Sequence, residues 1–315
     1  MNIKNILLGL IVISMMIFLI SFGESGFNLN NQIIMQLRLP KVLVCLLAGG
    51  MLSIAGLLMQ IFFQNPLAGP DILGISSGSS LFVAFWMMAA ATFSPAILNW
   101  GMNLMSFLGA LSVFLVLIFF VHKNMSRVSL IIVGILISSF TSSGISILVN
   151  ISEVVQLKSY LLWSMGSFRN VTSDDLPRFV FLSIFSLVPV FLFLKPLNQF
   201  LLSENYAKSM GVDVKKMKFI FIILAALLVS IVTLYCGPIG FIGIISPHLA
   251  KKIIKKSDLK DIIGASFLIG SFLALFAEMI QVIAPPSLVS INAILGLIGA
   301  PVIISYLYRQ KEWTL

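Results

Sequence analysis

The sequence predicts an all-α fold, a polytopic transmembrane helical bundle, and three observations carry that prediction. Of the 315 residues, 59% are hydrophobic and only 10% are charged, whereas a soluble domain carries about a quarter charged residues to face water. The mean hydropathy is +1.09, so the apolar surplus has to face lipid. The apolar residues run in long continuous stretches rather than the short alternating segments of a β-barrel, which selects helices.

A span needs about 20 mostly apolar residues to cross ~30 Å of hydrocarbon. On that measure about ten spans follow in order, at roughly 5–22, 42–63, 73–92, 103–121, 128–149, 179–194, 218–236, 240–250, 262–283 and 291–308, so that 1–315 is one transmembrane domain. The first follows Lys4 and has no small-x-small cleavage site behind it, so it is read as a membrane helix and not as a cleaved signal. The eighth is too short to cross alone and begins after Gly237-Pro238. Such interruptions are tolerated only where they are buried in protein or line a cavity. Gly49 with Ser53, Ser266 with Gly270, and Gly296 with Ala300 each stand four apart, a spacing that lets helix backbones approach closely. Cys45 and Cys236 lie in apolar runs without metal-ligand spacing and read as packing residues.

The net charge of +9 is explained by topology. With the N-terminus inside, 15 of the 20 Lys and Arg residues fall on the cytoplasmic side, and Arg38, Lys41, Lys158, Arg169 and Arg178 fall outside. That bias is what the positive-inside rule expects, and both termini are then cytoplasmic. The cluster from Lys251 to Lys260 reads as an anchor to anionic lipid headgroups and not as a nucleotide or nucleic-acid site.

Polar residues inside the spans mark candidate sites. Ser139, Ser143, Ser146 and Asn150 follow i, i+4, i+7, i+11 spacing and share one helical face. Either they bond back to their own backbone, or they form a polar wall of a water-filled pathway. Ser76 and Ser77, within the run Ser76-Ser77-Gly78-Ser79-Ser80, would form a second wall. Glu278 is the one acid inside a span, near its outer end, and an intramembrane carboxylate is a functional candidate by default. His122 and His248 are far apart, and no metal site, cofactor site or nucleophile–base set is visible in the spacing. An enzyme is therefore not expected. The phosphate loop Gly-x-x-x-x-Gly-Lys-[Ser/Thr] is missing too, so ATP hydrolysis would need separate chains.

Between spans six and seven, Ser203 to Lys216 reads as a short amphipathic helix capped by Ser203 and broken at Gly211. Asp213 would open a second short helix. The pair is either an ordinary connector or a lever for a partner protein.

Several stretches together resemble the permease subunits of ABC importers for iron-siderophore, haem and vitamin B12 uptake. Arg38-Leu39-Pro40-Lys41 is similar to the family's lead-in to its second helix. Gln64-Asn65-Pro66-Leu67-Ala68-Gly69-Pro70-Asp71-Ile72-Leu73-Gly74-Ile75-Ser76-Ser77-Gly78 is a long and specific match. Ala207 to Val212, Cys236 to His248, and Leu297-Ile298-Gly299-Ala300-Pro301 extend the resemblance over nearly the whole chain. It implies two inverted four-helix repeats, spans two to five and seven to ten, in which an odd offset of five reverses direction.

The resemblance also implies a multi-pass protein of the bacterial cytoplasmic membrane, paired with a second permease copy or a similar permease. Two cytoplasmic ATPase subunits would engage Glu204, Tyr206, Ala207, Met210, Gly211 and Val212, with methionine at 210 where leucine is usual. An extracytoplasmic binding protein would dock on Arg38 and Lys41. Lysine at 41 keeps the charge of the usual arginine but loses its bidentate fork, and Gln281-Val282 stands where the family has a further arginine. The cargo would be an iron chelate or a corrinoid moving inward. The competing expectation is an ion-coupled secondary transporter with Glu278 as its proton-linked site.

Overall fold

The computed structural model describes residues 3–23, 26–27, 30–89, 95–123, 125–202, 204–254, 258–284 and 289–311. Ser203, Lys255, Lys256, Pro285 and the side chain of Glu204 lie outside the described residues.

The chain opens with α1 (Ile3–Ser21), a two-residue antiparallel pair β1 (Phe22–Gly23) and β2 (Gly26–Phe27), and a short turn α2 (Asn31–Ile33). The Asn30 side chain caps α2 by accepting from the Gln32 N–H. A π-helical turn, Ile34–Arg38, leads without a break into α3 (Leu39–Phe63), where Pro40 occupies the first turn and its missing N–H costs nothing. Gln64 ends α3 in the left-handed region. A 3-10 turn, Pro70–Leu73, and Gly74 at φ 73° then precede α4 (Ile75–Ala89). Next come α5 (Pro95–His122) and α6 (Arg127–Ile151), the latter capped by Ser126.

The second half holds α7 (Val154–Ser164), α8 (Leu176–Leu192), α9 (Leu194–Leu202) and α10 (Glu204–Ser209). These are followed by α11 (Val214–Cys236), α12 (Ile242–Ile254), α13 (Leu259–Ile283) and α14 (Ile291–Lys311). Each expected span coincides with a helix. Among the described residues six helical stretches are long and apolar enough to cross a bilayer, or seven if the α8–α9 pair, bent by 63°, counts as one. α4 and α12 are shorter because an irregular segment with a left-handed residue precedes each, Gly74 before α4 and Phe241 before α12.

Two expectations need correction. No second short helix begins at Asp213. Its side chain accepts from the Lys216 N–H and caps the full-length α11, since the apolar run beyond it offers no break. The short pair consists of α9 and α10 instead. α7 was not anticipated, because Gln156 and Lys158 interrupt its apolar pattern.

α3 is the axis of the bundle: 83% of its apolar window is buried, against 17% for α6. Small residues set this contact. Gly49 lies against Gly270 so closely that a Cβ on either would overlap the other's carbonyl. Ser53 Oγ donates to the Ser266 carbonyl at 2.6 Å, and Ser271 Oγ to that of Leu46 at 2.6 Å. The expected pairs Gly49/Ser53 and Ser266/Gly270 therefore face each other across α3 and α13. At the third pair the face is shifted: Gly296 and Gly299 pack on Phe241, and Ala300 is exposed.

The helix pairings come in matched sets. α4 packs on α5 as α12 packs on α13, and α3 packs on α13 as α11 packs on α5. α3 meets α12 as α11 meets α4. That exchange of partners is the pattern of two inverted four-helix repeats.

Candidate functional site

The helices that carry the two polar stretches, α4 and α6, pack together. Ser77 on α4 donates to Ser138 on α6 at 3.3 Å. Ser139, Ser143, Ser146 and Asn150 are all exposed along one face of α6. Ser143 and Asn150 also bond back to the carbonyls of Ser139 and Ser146, at 3.0 and 2.9 Å. Ser143 and Asn150 thus satisfy themselves locally, and the four residues present an uncharged polar stripe on the outside of the chain.

Behind the α4 wall, Asp71, Ser76, Ser77 and Ser80 face Pro238 to Phe241 and Asn292 across a cavity of about 290 Å³. The irregular segments ahead of α4 and of α12 thus meet at one place. Asn292, at the start of α14, fixes the second segment. Its Oδ1 accepts from the Gly240 N–H at 3.1 Å, and its Nδ2 donates to the carbonyls of Pro238 at 2.8 Å and Met165 at 3.1 Å. Asn292→Ala is expected to lower stability by about 2 kcal/mol, because three backbone groups lose their partner. Asn292→Asp should be no better, since it places a carboxylate against two carbonyls. Thermal unfolding in detergent measures both.

At the other end of α3, Glu278 sits fully buried between Arg169 Nε at 2.9 Å and Lys41 Nζ at 3.2 Å. Glu278 is thereby shut off from water, and its charge is already balanced by Lys41 of α3 and Arg169 of the loop after α7. A proton-coupled role for it is not favoured. Arg38 lies nearby on the same side of α3. It is 3% exposed, and its guanidinium donates to the carbonyls of Ile20, Ser21 and Gly26 at 3.0, 2.8 and 3.2 Å. The Ile20 and Ser21 carbonyls end α1 and would otherwise lack donors, and Gly26 belongs to β2, so Arg38 ties α1 and the β pair to α3. The Lys41 side chain is 11% exposed and committed to Glu278. A cavity of about 680 Å³ opens beside Arg38, Lys41 and Arg169.

At the α10 elbow, Tyr206 and Met210 are exposed, Ala207 is fully buried, and Val212 N–H returns to the Ala207 carbonyl at 3.0 Å. Ala207 is the anchor, and Tyr206 and Met210 are the outward surface. Gly211 has φ 82° with open space around it, so its conformation and not crowding requires glycine. Among the described residues no three His, Cys, Asp or Glu side chains converge as a metal site.

Spacing alone gave no role to Asp71, Asn292 or Arg169. The available signals were an acid beside a serine run, an amide opening the last apolar run, and a lone cation in a connecting loop.

A bundle of long apolar helices with paired helix breaks is that of a multi-pass membrane protein. The chain belongs to the FecCD transport family, whose model matches residues 3–309. It is 29% identical over 299 residues to the vitamin B12 import system permease protein BtuC of Photorhabdus laumondii, covering 93% of this chain and 85% of that protein. It is 31% identical over 298 residues to the haem-iron transport system permease protein IsdF of Staphylococcus aureus, covering 93% and 87%. A solved structure of a metal-chelate type ABC transporter in an inward-facing conformation superimposes with a TM-score of 0.85 at 25% identity, over 96% of this chain and 98% of that one. The chain is accordingly a transporter permease subunit and not an enzyme. In such systems ATP hydrolysis resides on separate subunits.

Proposed function

We propose that this chain, paired with a second copy or a similar permease, encloses the pathway of an ATP-driven importer that moves an iron chelate, either siderophore or haem, or a corrinoid into the cytoplasm. The observation that carries this reading is the serine stripe on α6. Ser139, Ser143, Ser146 and Asn150, with Ser76 and Ser77 behind them, offer weak, uncharged polar contacts on a face that only a neighbouring subunit or an aqueous path would match. A large chelate already wraps its metal, so its channel needs width and polar walls and not ligands. The relatives named for vitamin B12 and haem-iron transport agree with cargo of that size.

Ten crossings with both termini in the cytoplasm match the distribution of Lys and Arg. The membrane is then the cytoplasmic membrane of a bacterium. In this arrangement α10 and Gly211 face the inside, where two ATPase subunits would grip Tyr206 and Met210, and an extracytoplasmic binding protein would deliver the cargo from the other side. Gly211→Val tests the reading. The left-handed backbone costs a β-branched residue about 1–2 kcal/mol and re-aims the elbow. With the partners present, ATP hydrolysis is expected to continue while uptake falls at least tenfold. Unchanged uptake per ATP hydrolysed would count against the assignment.

A further inference from the structure

One acid in the cavity behind α4 does not fit a merely polar lining. From Lys41 to Gly56, α3 descends fifteen residues, about 22 Å along the helix axis. There Gly56 abuts Gly243, Pro70 packs on Gly243, and Gly69 packs on Ile244. The segment before α4 therefore folds back into the bundle, well below the outer ion cluster, and carries Asp71 with it. Asp71 Oδ1 accepts from Ser76 Oγ at a long 3.4 Å. Its Oδ2 faces the Gly240 backbone, where an added Cβ would lie 3.7 Å away. Among the described residues no Lys, Arg or His forms an ion pair with it. The rest of the polar lining is neutral: Ser76, Ser77, Ser80 and Asn292.

Hydroxyls and a carboxamide accept either sign of charge on a passing molecule, but a carboxylate does not. An acid held at this depth without a cation is costly, and stability gives no reason to keep it. It attracts ammonium and N–H groups on whatever fills the cavity and opposes carboxylates and other anions.

We propose that Asp71 is a charge filter in the permeation pathway, so that the cargo is an uncharged or cationic chelate of the trihydroxamate or corrinoid kind, and chelates bearing free carboxylates or catecholates are disfavoured. This rests on the importer reading above and narrows its cargo.

The test uses the complete importer, with ATPase subunits and binding protein, in proteoliposomes. Three forms of an iron trihydroxamate are compared, with a terminal amine, its acetylated neutral form, and its succinylated anionic form, together with the matching three forms of a corrinoid. Whichever scaffold is carried gives the ratio of amine to succinyl uptake. The binding protein is common to all variants, so a change in that ratio reports the permease. Wild type is expected to favour the amine form. Asp71→Asn should reduce the ratio about tenfold, and Asp71→Glu, which keeps the charge within the cavity, should retain it. Because the ratio is taken within each variant, a loss of folded protein cancels.

An unchanged ratio in Asp71→Asn overturns the filter and leaves the importer reading standing. Uptake of haem in preference to every neutral and cationic form does the same, since a dicarboxylate would then pass the carboxylate. Failure of the importer reading looks different: no chelate of any charge would enter on ATP.

Discussion

Glu278→Ala is expected to lower the stability of the folded permease by about 3 kcal/mol, seen as a fall in its unfolding temperature in detergent. Glu278 is fully buried, while the Lys41 and Arg169 side chains that share its Oε1 are 11% and 28% exposed. Removing one partner of a buried pair typically costs about 3–5 kcal/mol, because a charge stays behind in low dielectric. Arg169 can turn partly toward the neighbouring cavity and recover some hydration, which places the effect at the low end of that range. Glu278→Gln keeps the volume and one acceptor, so it should cost roughly half as much. The control is the pair Lys41→Met with Glu278→Leu, which removes the buried cation together with the acid. It should be clearly more stable than Glu278→Ala alone. Equal losses for alanine and glutamine would mean that charge, and not volume, is what the site needs.

This cluster shows where the sequence could be read and where it could not. An acid inside an apolar run is visible in one dimension. Its partners lie 237 and 109 positions away, from Lys41 and Arg169 respectively, and only the fold reveals that the acid is already neutralised. The carbonyl partners of Arg38 are hidden for the same reason. A cation at the start of a span reads as an outer-face charge, yet the carbonyls it satisfies belong to the end of α1 and the β2 turn, which no local pattern connects to it. Periodicity and length placed the long apolar helices, because those signals are local. α7 is not legible because exposed Val154 and Val155 and its buried pair, Tyr160 and Trp163, are separated by polar positions that resemble a loop. The capping box formed by Glu153 and Gln156 was the available sign of a helix start. The serine stripe was legible because one helix carries it whole. The Asp71 cavity was not, because it is assembled from two segments about 170 residues apart.

Gly56→Val should be the most damaging single change in the bundle, and the reason is again non-local. On sequence Gly56 is one small residue in an apolar helix, and valine there would raise hydrophobicity. In the fold its missing side chain is the contact. An added Cβ would overlap the Gly243 backbone, and Gly243 is itself held by the Pro70 ring, 2.6 Å from where its own Cβ would stand. Backbone cannot turn to another rotamer, so α3 and α12 would have to separate and take the segment before α4 with them. Overpacking a core usually costs about 1–3 kcal/mol even when side chains can adjust, and here nothing adjustable is in the way. A loss of at least about 3 kcal/mol is expected, together with a sharp drop in membrane yield. Gly9→Ala supplies the comparison. No atom lies within 4 Å of a Cβ built there, so alanine should gain up to about 1 kcal/mol from helix propensity alone. If Gly56→Val and Gly9→Ala gave similar unfolding temperatures, α3 and α12 could not meet as closely as described. The placement of Asp71, which depends on that contact, would fall with it.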